Sequence, residues 1–253
     1  MSFFERGWST GEVSLTKILS GERPFSQEVT LTVEEMVDRI ILGGWPTPLS
    51  KSTSAAASLM VDYVKLISEV DIQQASDIKF NPDKVMNLLR SYAKNISTEA
   101  SISTLSKDTH GSDSFAVTDT VSSYIESLKL MWIIEDLPAW STHIRSSDTL
   151  RKSPKCHFVD PSIAVAALHL SQEKLLHDLQ YLGFLFESLV IRDLRIYAET
   201  HGGKVYHYRD SSNLEVDAII EYPDGRWAAF EIKIGFGMQD VAAKNLLTFA
   251  QKN

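Results

Sequence analysis

Two apolar-rich segments joined by a Pro-Asp-Gly turn constrain the fold of this chain more than any other feature. The segments run from 214 to 220 and from 227 to 234, on either side of Pro223-Asp224-Gly225. Proline fixes φ and glycine accepts a positive φ, so this sequence is typical of the turn of a β-hairpin. A turn centred on Asp224 places Asp217 opposite Glu231 on adjacent antiparallel strands.

Alternation of side chains divides this hairpin into a charged face and an apolar face. The charged face is predicted to contain Glu215, Asp217, Glu231 and Lys233. The apolar face is predicted to contain Val216, Ala218, Ile220, Phe230, Ile232 and Ile234. A slip of one residue would exchange the two faces, so the apolar set argues against a slip in the register.

The charged face has two interpretations. One is a solvated surface on which Lys233 pairs with an acid across the strands, worth roughly a few tenths of a kcal/mol. The other is a site for a hard divalent cation such as Mg²⁺, which takes oxygen ligands from one or two carboxylates and from water. In that site Lys233 orients a water molecule or stabilises charge that develops on a phosphate.

A predicted helix upstream of the hairpin adds another carboxylate. Apolar residues recur at helical spacing between Leu175 and Leu194. Glu187 lies on the same stripe as Ile191 and Leu194. Because a carboxylate on an apolar stripe is unfavourable unless it is paired or coordinates something, Glu187 is predicted to have a specific partner.

These residues, in this order, resemble the PD-(D/E)XK nuclease superfamily. The matches are Glu187 on a helix after Gly-Phe-Leu-Phe, Asp217 in Glu-Val-Asp, and Glu231 and Lys233 in Glu-Ile-Lys. Val216 stands where the motif has proline. The resemblance implies a catalytic set in which Glu187, Asp217 and Glu231 bind Mg²⁺ or Mn²⁺ and Lys233 assists hydrolysis of a phosphodiester bond.

Composition limits the class of protein. The single cysteine, Cys156, excludes an internal disulfide and a cysteine-rich zinc site. The apolar runs are shorter than the ~20 residues that cross a bilayer, and no secretory leader pattern opens the chain. We therefore expect a soluble cytoplasmic protein without a membrane partner. The net charge of −8 disfavours non-specific nucleic-acid binding, so any such site must be local.

Residues 1–82 are predicted to form a helical N-terminal region. Thr32 followed by Glu35 is a capping box, and the helix that it starts is predicted to end at Gly43-Gly44. A second helix is predicted from about 54 to 70. The chain contains no G-x-x-x-x-G-K-[ST] sequence, which excludes a P-loop site for a nucleoside triphosphate.

Residues 83–160 are predicted to form a winged helix-turn-helix. Three helices are followed by a strand at 132–134 and a return strand at 156–159. The outward residues of the third helix are polar rather than basic, so a packing module and a DNA-binding unit both remain open.

The arm between the two wing strands carries a group of basic residues. These are Arg145, Arg151, Lys152 and Lys155. Contacts with nucleic-acid phosphates and an ordinary exposed loop are both consistent with this pattern.

The order of these parts also resembles the C-terminal region of prokaryotic AAA-type ATPases, which joins a winged helix to a PD-(D/E)XK-like domain of unknown function. The resemblance rests on Gly-Gly-Trp-Pro at 43–46, on the sequence at 155–164 and on the helix of Glu187. It implies an α+β fold whose last domain, 161–253, is an α/β unit with a mixed sheet. The ATPase domain is missing and a further strand is expected after 253, so we expect a fragment or a shortened relative without ATP-driven activity.

Two functional hypotheses follow. The first is a metal-dependent phosphodiesterase that acts on nucleic acid. The second is a non-catalytic module that binds nucleic acid or protein and keeps a degenerate nuclease fold. A bound metal would favour the first hypothesis, and an ion pair of Lys233 with Glu231 or Asp217 that fills the site would favour the second.

Overall fold

The computed structural model describes residues 1–24, 31–46, 52–75, 79–110, 118–141 and 153–252. In this part of the chain a helical region precedes a small sheet, which makes the fold mixed α+β. The α-helices before the sheet are α1 (Leu15–Leu19), α2 (Val33–Leu42), α3 (Thr53–Leu66), α4 (Ile72–Ala75), α5 (Pro82–Lys94), α6 (Ile102–His110), α7 (Thr118–Leu130), α8 (Ser162–Ala167), α9 (Gln172–His177) and α10 (Leu179–Glu199), with a π-helical turn at Ile67–Asp71 between α3 and α4. The sheet contains β1 (Lys204–Arg209), β2 (Glu215–Glu221) and β3 (Trp227–Phe230), and α11 (Gln239–Lys252) follows.

Local capping sets the start of the helices that carry the fold. The predicted capping box of α2 is confirmed: Glu35 N donates to Thr32 Oγ1 at 3.1 Å, and Thr32 N donates to Glu35 Oε2 at 2.9 Å. The single helix expected from Leu175 is interrupted at Asp178, whose carboxylate accepts from the backbone N–H of Tyr181 and starts α10.

One apolar core joins most of the helices. It draws on residues from all three predicted domains. Its buried members include Ile40, Val64, Leu88, Tyr92, Leu128, Phe158, Ile163 and Leu185. Helix α10 also contributes Ile191 and Ala198 to a second apolar cluster that lies against the sheet. Helix α10 therefore packs against both the helical core and the sheet.

The predicted hairpin is confirmed. Ala218 pairs with Phe230 and Glu221 with Trp227 in an antiparallel ladder, which extrapolates to Asp217 opposite Glu231. The predicted mixed sheet is wrong for the described strands, because β1, β2 and β3 are all antiparallel. Parallel pairing needs a crossover of roughly a dozen residues or more, and the connections here span only 210–214 and 222–226.

Strand β2 contains a bulge that the alternation pattern does not predict. Tyr206 pairs with Ile219 but Tyr208 pairs with Val216, so two residues of β2 lie opposite His207. The extra residue shifts Val216 into a cluster around Tyr208 on the far side of the sheet from α10. The expectation that Val216 shares the apolar face of Ala218 is therefore wrong, and Asp217 lies at the bulge.

The two predicted wing segments pair through isolated antiparallel bridges. Ile134 pairs with Phe158 and Leu137 with Lys155. Trp132, expected in the first strand, lies instead in a turn with φ of 56° and is exposed. Separately, no described helix has the length and apolar character needed to cross a membrane.

Candidate functional site

The predicted site residues come together where α10 faces the end of the hairpin. Glu187 lies on α10, Asp217 at the bulge of β2, and Glu231 and Lys233 directly after β3. Glu187 and Asp217 are both buried in the folded chain. The four side chains that were selected from the sequence therefore lie close together in the folded chain.

Lys233 connects the two acids of the hairpin. Its Nζ lies 2.6 Å from Asp217 Oδ2 and 2.7 Å from Glu231 Oε2. The backbone N–H of Ile232 donates to the same Asp217 oxygen at 2.8 Å. One ammonium therefore contacts both acids of the hairpin. The Glu231 side chain is 3% exposed and that of Lys233 is 32% exposed, so Lys233 is the member that reaches solvent.

Glu187 joins the group through Lys155 rather than through Lys233. Lys155 Nζ donates to Glu187 Oε1 at 2.8 Å and lies 3.9 Å from Asp217 Oδ1. Asp217 thus has one oxygen directed to each lysine. The five side chains form a chain of ion pairs in the order Glu187, Lys155, Asp217, Lys233, Glu231.

The expected position of Lys155 on an exposed arm is wrong, because the residue is buried. Its backbone pairs with that of Leu137 in both directions, at 3.0 and 2.9 Å. This bridge fixes Lys155 at the inner end of the arm, where its side chain extends toward α10. The other arm residues, Arg145, Arg151 and Lys152, lie outside the described residues.

Burial is the largest influence on the pKa values of Glu187 and Glu231. It raises the pKa of Glu187 to about 7 against the opposing effect of Lys155, and the negative charge of Asp217 adds to the rise. The pKa of Glu231 is also raised, by burial and by Asp217, although Lys233 opposes the shift. Three acids surround two lysines, so the site has an excess of negative charge when all five groups are ionised.

The lysines are held in their charged form. Burial opposes the charge of Lys155, but Glu187 and Asp217 outweigh it and raise the pKa of Lys155. In the same way burial opposes the charge of Lys233, while its contacts with Asp217 and Glu231 raise its pKa. Both ammonium groups therefore carry a proton wherever the acids around them are ionised.

Two further polar residues, His157 and Glu215, lie near these five side chains. His157 Nδ1 lies 3.1 Å from the hydroxyl of Ser188, and both residues are buried. Burial, with nearby positive charges, lowers the pKa of His157 and keeps its ring neutral. Glu215, predicted on the charged face, instead pairs with Arg209 at 3.1 Å at the solvent edge, with its side chain 45% exposed.

The donor set has the chemistry of a hard-cation site. Carboxylate oxygens from Glu187, Asp217 and Glu231 are the ligands that Mg²⁺ prefers. Within the described ranges, however, no group of three or more His, Cys, Asp or Glu side chains has a metal-binding arrangement. The ammonium groups of Lys155 and Lys233 lie among the acids, so a metal ion would take over contacts that these lysines now make.

Lys155 belongs to this group of side chains although it was not predicted there from the sequence. A signal was present, because Lys155 and His157 are separated by Cys156, and side chains alternate along an extended segment. Cys156 packs into the helical core, whereas Lys155 and His157 contact Glu187 and Ser188 on α10. The residues that Lys155 and His157 contact on α10 are 32 and 31 positions away in the sequence, and a local pattern does not identify contacts at that distance.

The mixed α+β chain with this acidic site matches two family models. Residues 33–174 match "Domain of unknown function (DUF8612)", which covers more than half of the chain, and the chain belongs to this family. Residues 182–253 match "Domain of unknown function (DUF4143)", a domain found in AAA-ATPase-associated proteins. Comparisons with curated proteins and with solved structures gave no match.

Proposed function

We propose that this chain is a metal-dependent nuclease-like protein that hydrolyses phosphodiester bonds in nucleic acid. The observation that supports the proposal is that four predicted side chains lie in one connected group. Lys233 contacts Asp217 and Glu231 directly, and Glu187 is linked to Asp217 through Lys155. The four predicted residues come from a helix, a strand bulge and the segment after a neighbouring strand. β-Bulges are over-represented beside active sites, where they redirect a side chain.

The proposed roles follow from the chemistry of each side chain. Glu187, Asp217 and Glu231 would hold Mg²⁺ or Mn²⁺, which supplies Lewis-acid stabilisation and lowers the pKa of a bound water. Lys233 is the most exposed of the four and is already held in its charged form. It therefore stands where it can donate to a phosphate oxygen or orient the attacking water.

The energetic cost of burying these charged groups also favours a functional site. Burying several charged groups is unfavourable unless each is well paired, and apolar packing of the same volume is often more stable. Here three acids share two lysines, and burial raises the pKa of both Glu187 and Glu231. Buried acids that outnumber their basic partners and have raised pKa values are typical of functional sites.

The match to a domain found in AAA-ATPase-associated proteins agrees with the resemblance to the C-terminal region of such ATPases, and from that resemblance we propose a wider architecture. In it α5, α6 and α7, with the paired segments that follow, are a winged helix, and the part from α8 onward is a PD-(D/E)XK-like unit. Nucleic acid is the proposed partner, contacted in addition by Arg145, Arg151 and Lys152, and the proposed location is the cytoplasm.

A second candidate function is a non-catalytic module that binds nucleic acid or protein. The observation that favours it is the pairing of Lys233 with both Asp217 and Glu231, which fills the hairpin side of the site. In this case the same fold persists while the acids and lysines neutralise one another. The two candidates differ in whether a divalent cation enters the site and supports cleavage.

Cleavage assays on the purified chain test the proposal. Labelled single- and double-stranded DNA and RNA are incubated with Mg²⁺ or Mn²⁺, with and without EDTA. We expect cleavage that EDTA abolishes and that is lost in Asp217→Asn and Lys233→Met. Asp224→Asn, which removes an acid from an exposed ion pair in the same hairpin, is the matched control and should retain activity. A wild type that binds metal but cleaves none of these substrates would favour the non-catalytic module, as would cleavage that survives Asp217→Asn.

A further inference from the structure

Lys155 is a cation that the chain itself places inside the acidic site. Its Nζ lies 2.8 Å from Glu187 Oε1 and 3.9 Å from Asp217 Oδ1, and its side chain is only 9% exposed. An ammonium between two buried carboxylates offers them what a divalent cation would offer, namely positive charge in a place that water reaches poorly.

We propose that Lys155 is the resident cation of the site, and that a divalent metal ion binds between Glu187 and Asp217 only by displacing the Lys155 ammonium. Lys155 thereby sets the metal affinity of the site. The inference deepens the proposed function by naming a residue that controls metal entry, and it rests on metal binding but not on cleavage.

The geometry separates the two lysines by task. Lys233 contacts Asp217 through Oδ2, whereas Lys155 lies nearest to Oδ1. Lys155 is also the lysine that contacts Glu187 directly. A metal ion that bridges the helix acid and the strand acid must therefore replace Lys155, while Lys233 can stay beside Asp217 and Glu231.

The backbone and surroundings of Lys155 permit this exchange. Its backbone is fixed by the two hydrogen bonds to Leu137, so only the flexible side chain has to move. Lysine has a four-carbon stem with free rotation, which suits a mobile point charge. Glu215, at the solvent edge, is close enough for its negative charge to raise the pKa of Lys155. It is therefore a second acid with which the displaced ammonium can pair.

The exchange also gives the two matched segments a shared role. Lys155 belongs to the segment 33–174, whereas the acids belong to the segment 182–253. The exchange of cation therefore involves one side chain of the first segment and two acids of the second.

Calorimetric titration of the full chain with Mn²⁺ alone tests the inference. Removing a positive charge within 4 Å of the metal position should strengthen binding by about tenfold or more in Lys155→Met. Lys155→Gln keeps a hydrogen-bond donor beside Glu187 and should show the same direction of change with a smaller packing defect. Lys155→Arg retains the charge and should bind Mn²⁺ no more tightly than the wild type. Lys129→Met is the matched control, since Lys129 pairs with Asp136 at 2.6 Å, and it should leave the affinity unchanged.

Equal or weaker Mn²⁺ binding in both Lys155→Met and Lys155→Gln would overturn the inference, as would the absence of Mn²⁺ binding in every variant. Cleavage assays on the same proteins keep the two proposals apart. If Lys155→Met and Lys155→Gln bind Mn²⁺ more tightly but no variant cleaves nucleic acid, the exchange is supported and the nuclease proposal is contradicted. If the wild type cleaves nucleic acid but its Mn²⁺ affinity does not change when Lys155 is replaced, the nuclease proposal is supported and the exchange is contradicted.

Discussion

Lys155 and Glu187 form a buried ion pair, with Nζ of the lysine 2.8 Å from Oε1 of the acid, although they come from two segments that match different families. The pair connects the segment around Lys155 to α10 and places a positive charge beside Asp217. As a result the acidic site is built from both matched segments rather than from the second alone.

The excess of acids over lysines predicts that the partners of this ion pair respond differently to mutation. Lys155→Met leaves three acids with one lysine and should lower the free energy of unfolding by ~3–5 kcal/mol at pH 8. Glu187→Gln leaves two acids with two lysines, and Lys155 keeps Asp217 at 3.9 Å, so the loss should be near zero. Urea unfolding in EDTA measures both. Equal and large losses in the two variants would contradict the charge imbalance.

The raised pKa of Glu187 predicts a specific pH dependence of stability. Since burial raises this pKa from 4.5 to about 7, the folded chain binds a proton between these values that the unfolded chain releases. The free energy of unfolding should therefore fall as pH rises from 5 to 8, with the contribution of Glu187 fully present below about 4.5 and lost through about 7. Urea unfolding of Glu187→Gln in EDTA should show a smaller fall over the same range. If the free energy of unfolding fell equally with pH in the wild type and in Glu187→Gln, the pH dependence would come from groups other than Glu187.

Metal binding at the acids predicts a thermal shift. Mg²⁺ that binds the folded chain alone should raise the melting temperature of the wild type. Asp217→Asn should abolish this gain, because Asp217 contacts both halves of the ion-pair chain. Asp224→Asn should keep it. An equal gain in Asp217→Asn would place the metal elsewhere.

The glycine that ends α2 predicts a loss of stability that is independent of the site. Gly43 has φ of 63° and ψ of −176°, a conformation that is essentially restricted to glycine. A Cβ there would also lie 2.6 Å from Asp160 Oδ1. Gly43→Ala should therefore destabilise the chain by roughly 3 kcal/mol. Gly183→Ala on α10 is the control, because a Cβ there meets nothing within 4 Å. It should be neutral or stabilising by up to ~1 kcal/mol, and a similar loss at both glycines would contradict the steric argument.

Local signals in the sequence were sufficient for the hairpin and for the start of α2. The Pro-Asp-Gly turn fixed the register that pairs Ala218 with Phe230, and Thr32 with Glu35 formed the predicted capping box. Both signals act over a few residues, which is the range in which sequence spacing determines contact.

Other features depended on distant contacts. The bulge in β2 follows from how β1 pairs with it, and it moved Val216 away from the face that simple alternation assigned. The burial of Lys155 follows from its bridge to Leu137 and its approach to α10. The bulge leaves no period in the sequence. The alternation of residues 155–157 does not identify Glu187 as the partner of Lys155, so the ion pair between them was not predicted.

The most direct measurement is the anomalous scattering of Mn²⁺ in crystals of the chain grown with and without the ion. We predict an anomalous peak coordinated by carboxylate oxygens of Asp217 and Glu187, with the Lys155 ammonium moved away and Lys233 still beside Glu231. A well-ordered site without such a peak, in which Lys155 remains between Glu187 and Asp217 at high Mn²⁺ concentration, would contradict the account.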